Sequence, residues 1–171
     1  VALLEVYDAD ETPSFSSRLV NLSALCLVGA GESIAIPGIR ASGNRALRLL
    51  IRVVAQGLAR FGIREFLARP RIEVVAHPFF VGTYPRIIPG RTIAENEGWQ
   101  RAAVVAAADA EFAHGSPQEI RAAGAAAAAF PLEEGSLDAA VLVTINPNLF
   151  SFRITGADGG TGIALIEVYD V

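Results

Sequence analysis

Methionine and lysine are both absent from this 171-residue chain, and cysteine occurs only once. Without lysine the chain cannot form a Schiff base, a P-loop lysine contact or a lysine–asparagine crosslink. The single Cys26 excludes an intrachain disulfide and a cysteine metal cluster, and between Leu25 and Leu27 it is expected to be a buried, small apolar residue. Since the first residue is valine, we interpret the sequence as a processed product or an excised piece of a longer chain.

Basic residues are few and dispersed, and long apolar runs are missing. The 14 arginines are scattered along a chain of formal net charge −4, without the basic stripe that binds nucleic acid. Although 52% of the residues are hydrophobic, charged and polar residues interrupt every run before it reaches roughly 18 residues, the minimum for a membrane span. We therefore expect neither nucleic acid as a partner nor a membrane span.

One seven-residue segment occurs twice in the sequence, with a single difference. Residues 2–8 (ALLEVYD) and 164–170 (ALIEVYD) differ only at Leu4 and Ile166. Each is rich in β-branched, aliphatic and aromatic residues and ends at an aspartate, which predicts a half-buried strand followed by a turn. Three arrangements are open: the first copy ends a preceding unit of an array, it replaces the last strand of a neighbouring molecule, or both copies share one sheet.

The domain organisation follows from a polar stretch near the start. Residues 9–17 (ADETPSFSS) contain a proline and predict a linker. Residues 1–8 then form a strand from or for a neighbouring unit, and residues 18–171 form a single domain. Strands are predicted at 18–28, 33–40, 46–54, 71–76, 137–145, 149–155 and 163–169. The apolar strand 46–54 is expected to be central, with Arg48 and Arg52 at its solvent-reachable positions.

Helices are predicted in the middle of the chain. One or two helical turns are expected at 56–61, and a long loop at 77–98. A helical insertion follows at about 99–129, in which Ser116, Pro117 and Glu119 have the spacing of an N-cap, a first-turn proline and a capping box. The whole pattern predicts a mainly β fold, a β-sandwich of jelly-roll or Greek-key type with short helices inserted.

Residues that could carry chemistry are sparse. His77 and His114 each lack a second histidine or cysteine at metal-ligand spacing, and a hydrolase would need one of them to converge with a serine and a carboxylate. Glu95, Glu97 and Asp158 are weak candidates for calcium ligands, and solvated loop charge is the favoured interpretation. We expect no cofactor, no metal and no enzymatic activity.

Four aromatic residues cluster in and after the predicted loop: Phe79, Phe80, Tyr84 and Trp99. Packing of the loop is their favoured role. The alternative is a surface module that binds a carbohydrate or another protein through this loop.

Several motifs together resemble a module found repeatedly in very large secreted bacterial surface proteins. They are SRLVNLS at 17–23, LLIR at 49–52, LARFG at 58–62, LARP at 67–70, NEGW at 96–99, GSLDAA at 135–140 and TGIALIEVYD at 161–170. The resemblance implies a tandem, β-rich, non-catalytic repeat in which each unit ends in a strand like EVYD and the next begins like SRLVNLS. The segment 77–93 is longer than in that module, and ENEGW replaces its NDNW.

These observations predict a structural subunit or module of an extracellular fibre, sheath or other cell-surface assembly. A β-sandwich with an unpaired edge can accept a strand from another copy, and such a head-to-tail contact builds an open filament. In the donor strand Ala2, Leu4 and Val6 are expected to face the hydrophobic groove, with Glu5 and Tyr7 on the other face. The expected partners are further copies of this chain or adjacent repeats.

Overall fold

The computed structural model describes residues 5–6, 20–81, 86–105 and 112–171, and only the backbone of 79–81 and 86–88. No helix in this part of the chain is long and apolar enough to cross a membrane. Its strands are β1 (Asn21–Val28), β2 (Gly38–Arg40), β3 (Leu47–Val54), β4 (Pro70–Ala76), β5 (Phe79–Val81), β6 (Arg86–Ile88), β7 (Arg91–Asn96), β8 (Ala139–Ile145), β9 (Leu149–Gly156) and β10 (Gly162–Asp170). One α-helix, α1 (Pro117–Ala126), and two 3-10 turns (Gly31–Ser33 and Gln56–Phe61) accompany them.

Eight strands form two four-stranded antiparallel sheets. Sheet A has the order β1-β10-β3-β8 and sheet B the order β2-β9-β4-β7, while β5 and β6 form a separate hairpin. The first strands of the chain pair with the last in nested order, as β1–β10, β2–β9, β3–β8 and β4–β7. The additional pairs β10–β3 and β9–β4 fold this antiparallel ribbon into the two sheets. This is the jelly-roll arrangement, so the predicted fold class is confirmed.

The core lies between the two sheets and follows from the alternation of apolar residues. Ile72 and Val74 of β4 and Phe152 of β9 point inward from sheet B and are fully buried. Ile51 and Val53 meet them from β3. The other face of β3 is also covered, because Leu50 packs with Ile120 of α1 in a second apolar cluster. The predicted central position of this strand is confirmed.

Burial on both faces of β3 overturns one prediction. Arg52 was expected at a solvent-reachable position, but only 1% of its surface is exposed. The cause is α1 and the segment that follows it, which cover the outer face of sheet A at this point. Arg48 lies four residues earlier on the same face of β3. Its side chain does reach solvent and forms an ion pair of 2.7 Å with Glu119 of α1.

The helical insertion is shorter than predicted. Ser116 and Glu119 do form a capping box, with Pro117 in the first turn, but α1 ends at Ala126. The predicted insertion is not helical over the described residues 99–105, because Val104 exchanges two backbone hydrogen bonds with Glu95 at the edge of sheet B. Residues 106–111 lie outside the described chain. Here tertiary pairing outweighs the helix propensity of an alanine-rich sequence.

The loop predicted at 77–98 contains three strands. β7 pairs with β4 along Arg91–Asn96 and completes sheet B, and β5 pairs with β6. Alternation is lost because the β4–β7 register shifts between Val74 and Val75, and the neighbours Ile93 and Ala94 are both buried. A bulge of this kind disrupts the period of two that identifies a strand.

Asp138 ties the start of β8 to the turn that follows β3. Its buried carboxylate accepts hydrogen bonds from the backbone N–H of Ala55 at 2.8 Å and of Gly57 at 3.2 Å, and from Ser136 Oγ at 3.2 Å. The 3-10 turn that starts there ends at Gly62, which adopts a left-handed conformation at φ 84°. A single carboxylate thus fixes the chain where β3 leaves the sheet.

The glycine inside α1 gives a first testable prediction. A Cβ at Gly124 would lie 3.7 Å from Arg52 Nη1 and 3.9 Å from Leu50 Cδ2, which are ordinary contacts. Since alanine favours a helix interior by about 1 kcal/mol over glycine, Gly124→Ala is expected to raise the free energy of unfolding by about that amount. Urea unfolding measures it. The matched change at the exposed Ala122, to glycine, is expected to lower stability by a similar amount; a destabilised Gly124→Ala protein would contradict this account.

Candidate functional site

The two sides of the sandwich differ in how their sheet edges end. On one side, the edge of β8 is covered by residues 113–115, through hydrogen bonds from Gly115 N to Leu142 O and from Thr144 N to Ala113 O, both of 2.8 Å. The edge of β7 is covered by Val104, as described above. Covering an edge strand in this way protects it from pairing with another chain.

The opposite side ends in β1 and β2, and within the described residues no strand lies beyond them. The eight residues of β1 (NLSALCLV) include no charge and no proline, the two residue types that natural proteins commonly place on open edges. Leu25 and Leu27 on its outer face are 55% and 71% exposed. Leu22, on the inner face with the buried Val28, is also 38% exposed. We call this surface the β1 edge.

Cys26 is half-buried on the inner face of β1, where it packs against the main core. Burial raises the pKa of its thiol above the ordinary value. A thiol held in the protonated form is a weak nucleophile, since the thiolate is the reactive species. Cys26 therefore acts as the small apolar residue that the sequence predicted.

The closing copy of the repeated segment is an interior strand. It forms most of β10, which pairs with β1 on one side and with β3 on the other. The closing copy is therefore the last strand along the chain but not an edge of sheet A. Ala164, Ile166 and Val168 face the core between the sheets.

The polar residues of the same copy are buried on the other face of sheet A. Tyr169 donates a hydrogen bond of 2.7 Å to Glu167 Oε1, and Glu167 Oε2 lies 3.1 Å from Arg52 Nε. Burial, together with the hydrogen bond and charge of Glu167, raises the pKa of Tyr169 to about 12. The three side chains form a closed polar cluster beneath the α1 region.

The raised pKa of Tyr169 predicts how stability depends on alkaline pH. In the unfolded chain the phenol ionises near its ordinary value of 10, whereas in the folded chain it stays protonated until about 12. Its contribution to stability is therefore complete below pH 10 and is lost as the pH rises from 10 to 12. Chemical unfolding across this range should show a steeper loss for the wild type than for Tyr169→Phe. Lysine is absent, so no lysine titration obscures the comparison, and equal slopes would contradict it.

Most of the opening copy lies outside the described residues. This holds for Ala2, Leu4 and Tyr7, whereas Glu5 and Val6 are described and exposed, Val6 at 50%. In sequence, Ala2, Leu4 and Val6 correspond to the inward-facing Ala164, Ile166 and Val168. The alternation expected for a donor strand is thus the alternation that β10 adopts.

The candidate aromatic loop is only partly described. Trp99 is 1% exposed, and its indole N–H donates to Glu133 O at 3.1 Å, so its ring presents no flat surface to solvent. Phe79 and Phe80 lie in β5 with undescribed side chains, and Tyr84 lies outside the described residues.

The weak calcium candidates have other partners. Arg71 forms ion pairs of 2.6 Å with Glu95 and 3.6 Å with Glu97, while the exposed Asp158 accepts a hydrogen bond from Gly160 N. A guanidinium thus occupies the position where a cation would lie. The described residues contain no group of three or more His, Cys, Asp or Glu side chains suited to a metal.

One histidine does meet a serine. His77 Nε2 lies 3.0 Å from Ser151 Oγ across the β4–β9 pair. A carboxylate that would orient the ring is not among the hydrogen-bond partners of His77 in the described part of the chain, so the pair lacks the third group of a hydrolase triad. His114 lies on the outer edge of β8, where it bridges to Val143.

No family model matches the chain, and no curated protein or solved structure matches it either. The β1 edge and the buried cluster are therefore interpreted from their geometry. Sequence reasoning missed the cluster at Arg52; the available signal was an arginine inside LLIRVV, a strand apolar at almost every position and expected to be covered on both faces.

Proposed function

We propose that this chain is a structural module of an extracellular or cell-surface assembly, joined head to tail when residues 2–8 of one copy pair with the β1 edge of the next. The observation that carries the proposal is the β1 edge itself: an uncharged strand with exposed leucines, on the side of the sandwich where the described residues leave the sheet edges uncovered. Such an edge is a template for a further strand.

The segment 2–8 suits this edge because it repeats the sequence of β10, the strand that already pairs with β1. Backbone groups of β1 that point away from β10 would gain hydrogen bonds. Leu4 and Val6 would extend the inner apolar face beyond the partly exposed Leu22. Main-chain pairing of this kind supplies affinity, and alternate side chains supply register.

The polarity of the assembly follows from the two surfaces. Donor segment and acceptor edge are different parts of the chain, so each copy can donate in one direction and accept in the other, which gives an open filament. In a tandem array the same contact would join adjacent repeats. The resemblance to secreted surface repeats supports a location outside the cell and a non-catalytic role.

Removing the donor segment is the primary test. Full-length protein is expected to form filaments, and protein lacking residues 1–8 to remain a folded monomer that unfolds cooperatively. Light scattering and negative-stain electron microscopy measure both states. Monomers from both proteins would overturn assembly by this segment.

Two point variants test the direction of assembly. Leu4→Asp places a charge in the donor's apolar face, and Leu27→Lys places one on an acceptor residue that is 71% exposed and can be changed without a folding cost. Each variant alone is expected to be monomeric. In a mixture, the Leu27→Lys protein supplies the intact donor and the Leu4→Asp protein supplies the intact acceptor. The two should therefore form a 1:1 dimer and nothing longer.

The control for the acceptor is Leu149→Lys, a leucine 47% exposed on β9, away from the β1 edge. This variant should polymerise like the wild type. If the mixture of Leu4→Asp and Leu27→Lys stays monomeric while the control polymerises, the donor–acceptor pairing is wrong. Filaments from Leu4→Asp alone would show that another contact drives assembly.

A further inference from the structure

A cavity of about 260 Å³ lies on the outer face of sheet A, beneath α1 and the segment 129–132. Its lining includes the buried Trp99, Ile120 and Gly124, together with Phe130 and Leu132. These groups make the wall mainly apolar. The one fully buried charge in the lining is Arg52.

The guanidinium of Arg52 is not fully hydrogen-bonded. Its Nε lies 3.1 Å from Glu167 Oε2, and its Cζ lies 4.8 Å from the centre of the Phe130 ring. Within the described residues, neither Nε nor Nη2 has a hydrogen-bond partner of good geometry. Arginine carries five N–H donors, and a buried donor without an acceptor is costly. The atom Nη2 is sealed from solvent, whereas Nη1 lies on the cavity side, 3.7 Å from where a Cβ at Gly124 in the cavity wall would stand. Nη1 is therefore the donor that an acceptor in the cavity can reach.

The charges around the cavity leave this position suited to an anion. Glu167 accepts the hydrogen bond from Tyr169 on its other oxygen, so it is held at the Nε side of Arg52. Arg121 lies over the Trp99 ring and pairs with Glu134. Arg60 lies over Phe130 and is 3.7 Å from Glu133. The carboxylates are thus each held by an arginine or a tyrosine, while a donor of Arg52 is unfilled.

We propose that this cavity binds a small monocarboxylate with a compact apolar body, whose carboxylate accepts a hydrogen bond from Arg52 Nη1. The apolar body would lie against Trp99, Ile120 and Phe130. The size fits, because an apolar cavity of about 150 Å³ can hold benzene, so 260 Å³ accommodates a phenyl ring and a short acid chain. The site is separate from the β1 edge, and the inference does not depend on the proposed assembly.

Trp99 provides a direct readout, since it is the only tryptophan in the chain and lines the cavity. The probe is 3-phenylpropionate, with 3-phenylpropan-1-ol as its uncharged analogue. Titration of wild-type protein is expected to change the Trp99 fluorescence with both compounds. The acid should bind about tenfold or more tightly, since a charge-assisted hydrogen bond replaces a neutral one.

Two cavity variants localise the binding. Gly124→Leu fills the cavity from α1 and should abolish binding of both probes. Its matched control, Ala122→Leu, adds the same side chain on the exposed face of the helix and should bind like the wild type. The double variant Arg52→Met with Glu167→Met removes both buried charges together, which preserves folding better than removing one. It should still bind the alcohol but lose the preference for the acid.

Thermal unfolding confirms that each variant is folded before it is titrated. The proposal is overturned if the wild type binds neither probe, if acid and alcohol bind equally, or if Gly124→Leu binds as well as Ala122→Leu. Persistence of the acid preference in the double variant would also overturn the role of Arg52.

Discussion

Replacing Asp138 with alanine is expected to destabilise the domain by roughly 3–5 kcal/mol, a large part of the roughly 5–15 kcal/mol that stabilises a typical domain. The carboxylate is fully buried and accepts from two backbone N–H groups, of Ala55 and Gly57, and from Ser136. Alanine would leave both backbone donors in the core without an acceptor, at a cost of roughly 1–3 kcal/mol each. It would also remove a negative charge that lies near the Arg52 guanidinium and favours its charged form.

Urea unfolding of the Asp138→Ala protein measures this loss. Ser136→Ala removes one donor to the same carboxylate and should cost only about 1 kcal/mol. Asp158→Ala changes an exposed aspartate in a glycine-rich turn and should stay within about 0.5 kcal/mol of the wild type. If Asp138→Ala were as mild as Asp158→Ala, the carboxylate would not fix the turn after β3.

The strands were predictable where one face of the sheet is buried against the other. In β4 and β9, inward and outward residues alternate without interruption, as Ile72 and Val74 illustrate. The apolar strand 46–54 and the capping box at Ser116 were equally predictable, because each depends only on neighbouring residues in the sequence.

Other features depend on contacts between distant parts of the chain. Strand β7 was hidden by a bulge opposite Val74 and Val75, and the segment around Val104 pairs with a sheet edge despite its helical composition. Asp138 looked like one residue of a strand, and its role is set by residues more than 80 positions away. No local pattern reports such a contact.

The candidate assembly surface was also predictable from the sequence only in part. The repeated segment is visible in the sequence, and so is the alternation of its apolar residues. That its closing copy is an interior strand, and that the uncovered edge belongs to β1, follows only from the sheet order. The edges of β7 and β8 are covered by segments that no strand pattern identifies, which leaves the β1 side as the candidate surface.

Changing Glu167 to leucine is expected to cost roughly 3–5 kcal/mol, because it leaves Arg52 as a buried charge without its counter-ion. The Tyr169 hydroxyl would lose its acceptor as well. The glutamate and tyrosine of the repeated EVYD motif thus stabilise the sheet through an arginine on the neighbouring strand. In β10 the partner of this glutamate is Arg52 of β3.

The double variant Arg52→Met with Glu167→Leu provides the decisive comparison, measured by urea unfolding with each single variant. Removing both charges leaves apolar side chains of similar length, so the double variant should recover most of the stability that Glu167→Leu loses. A coupling energy near zero would mean that the two charges do not stabilise each other. Strong coupling would show that Glu167 is tolerated on the covered face of sheet A because Arg52 lies beside it on β3.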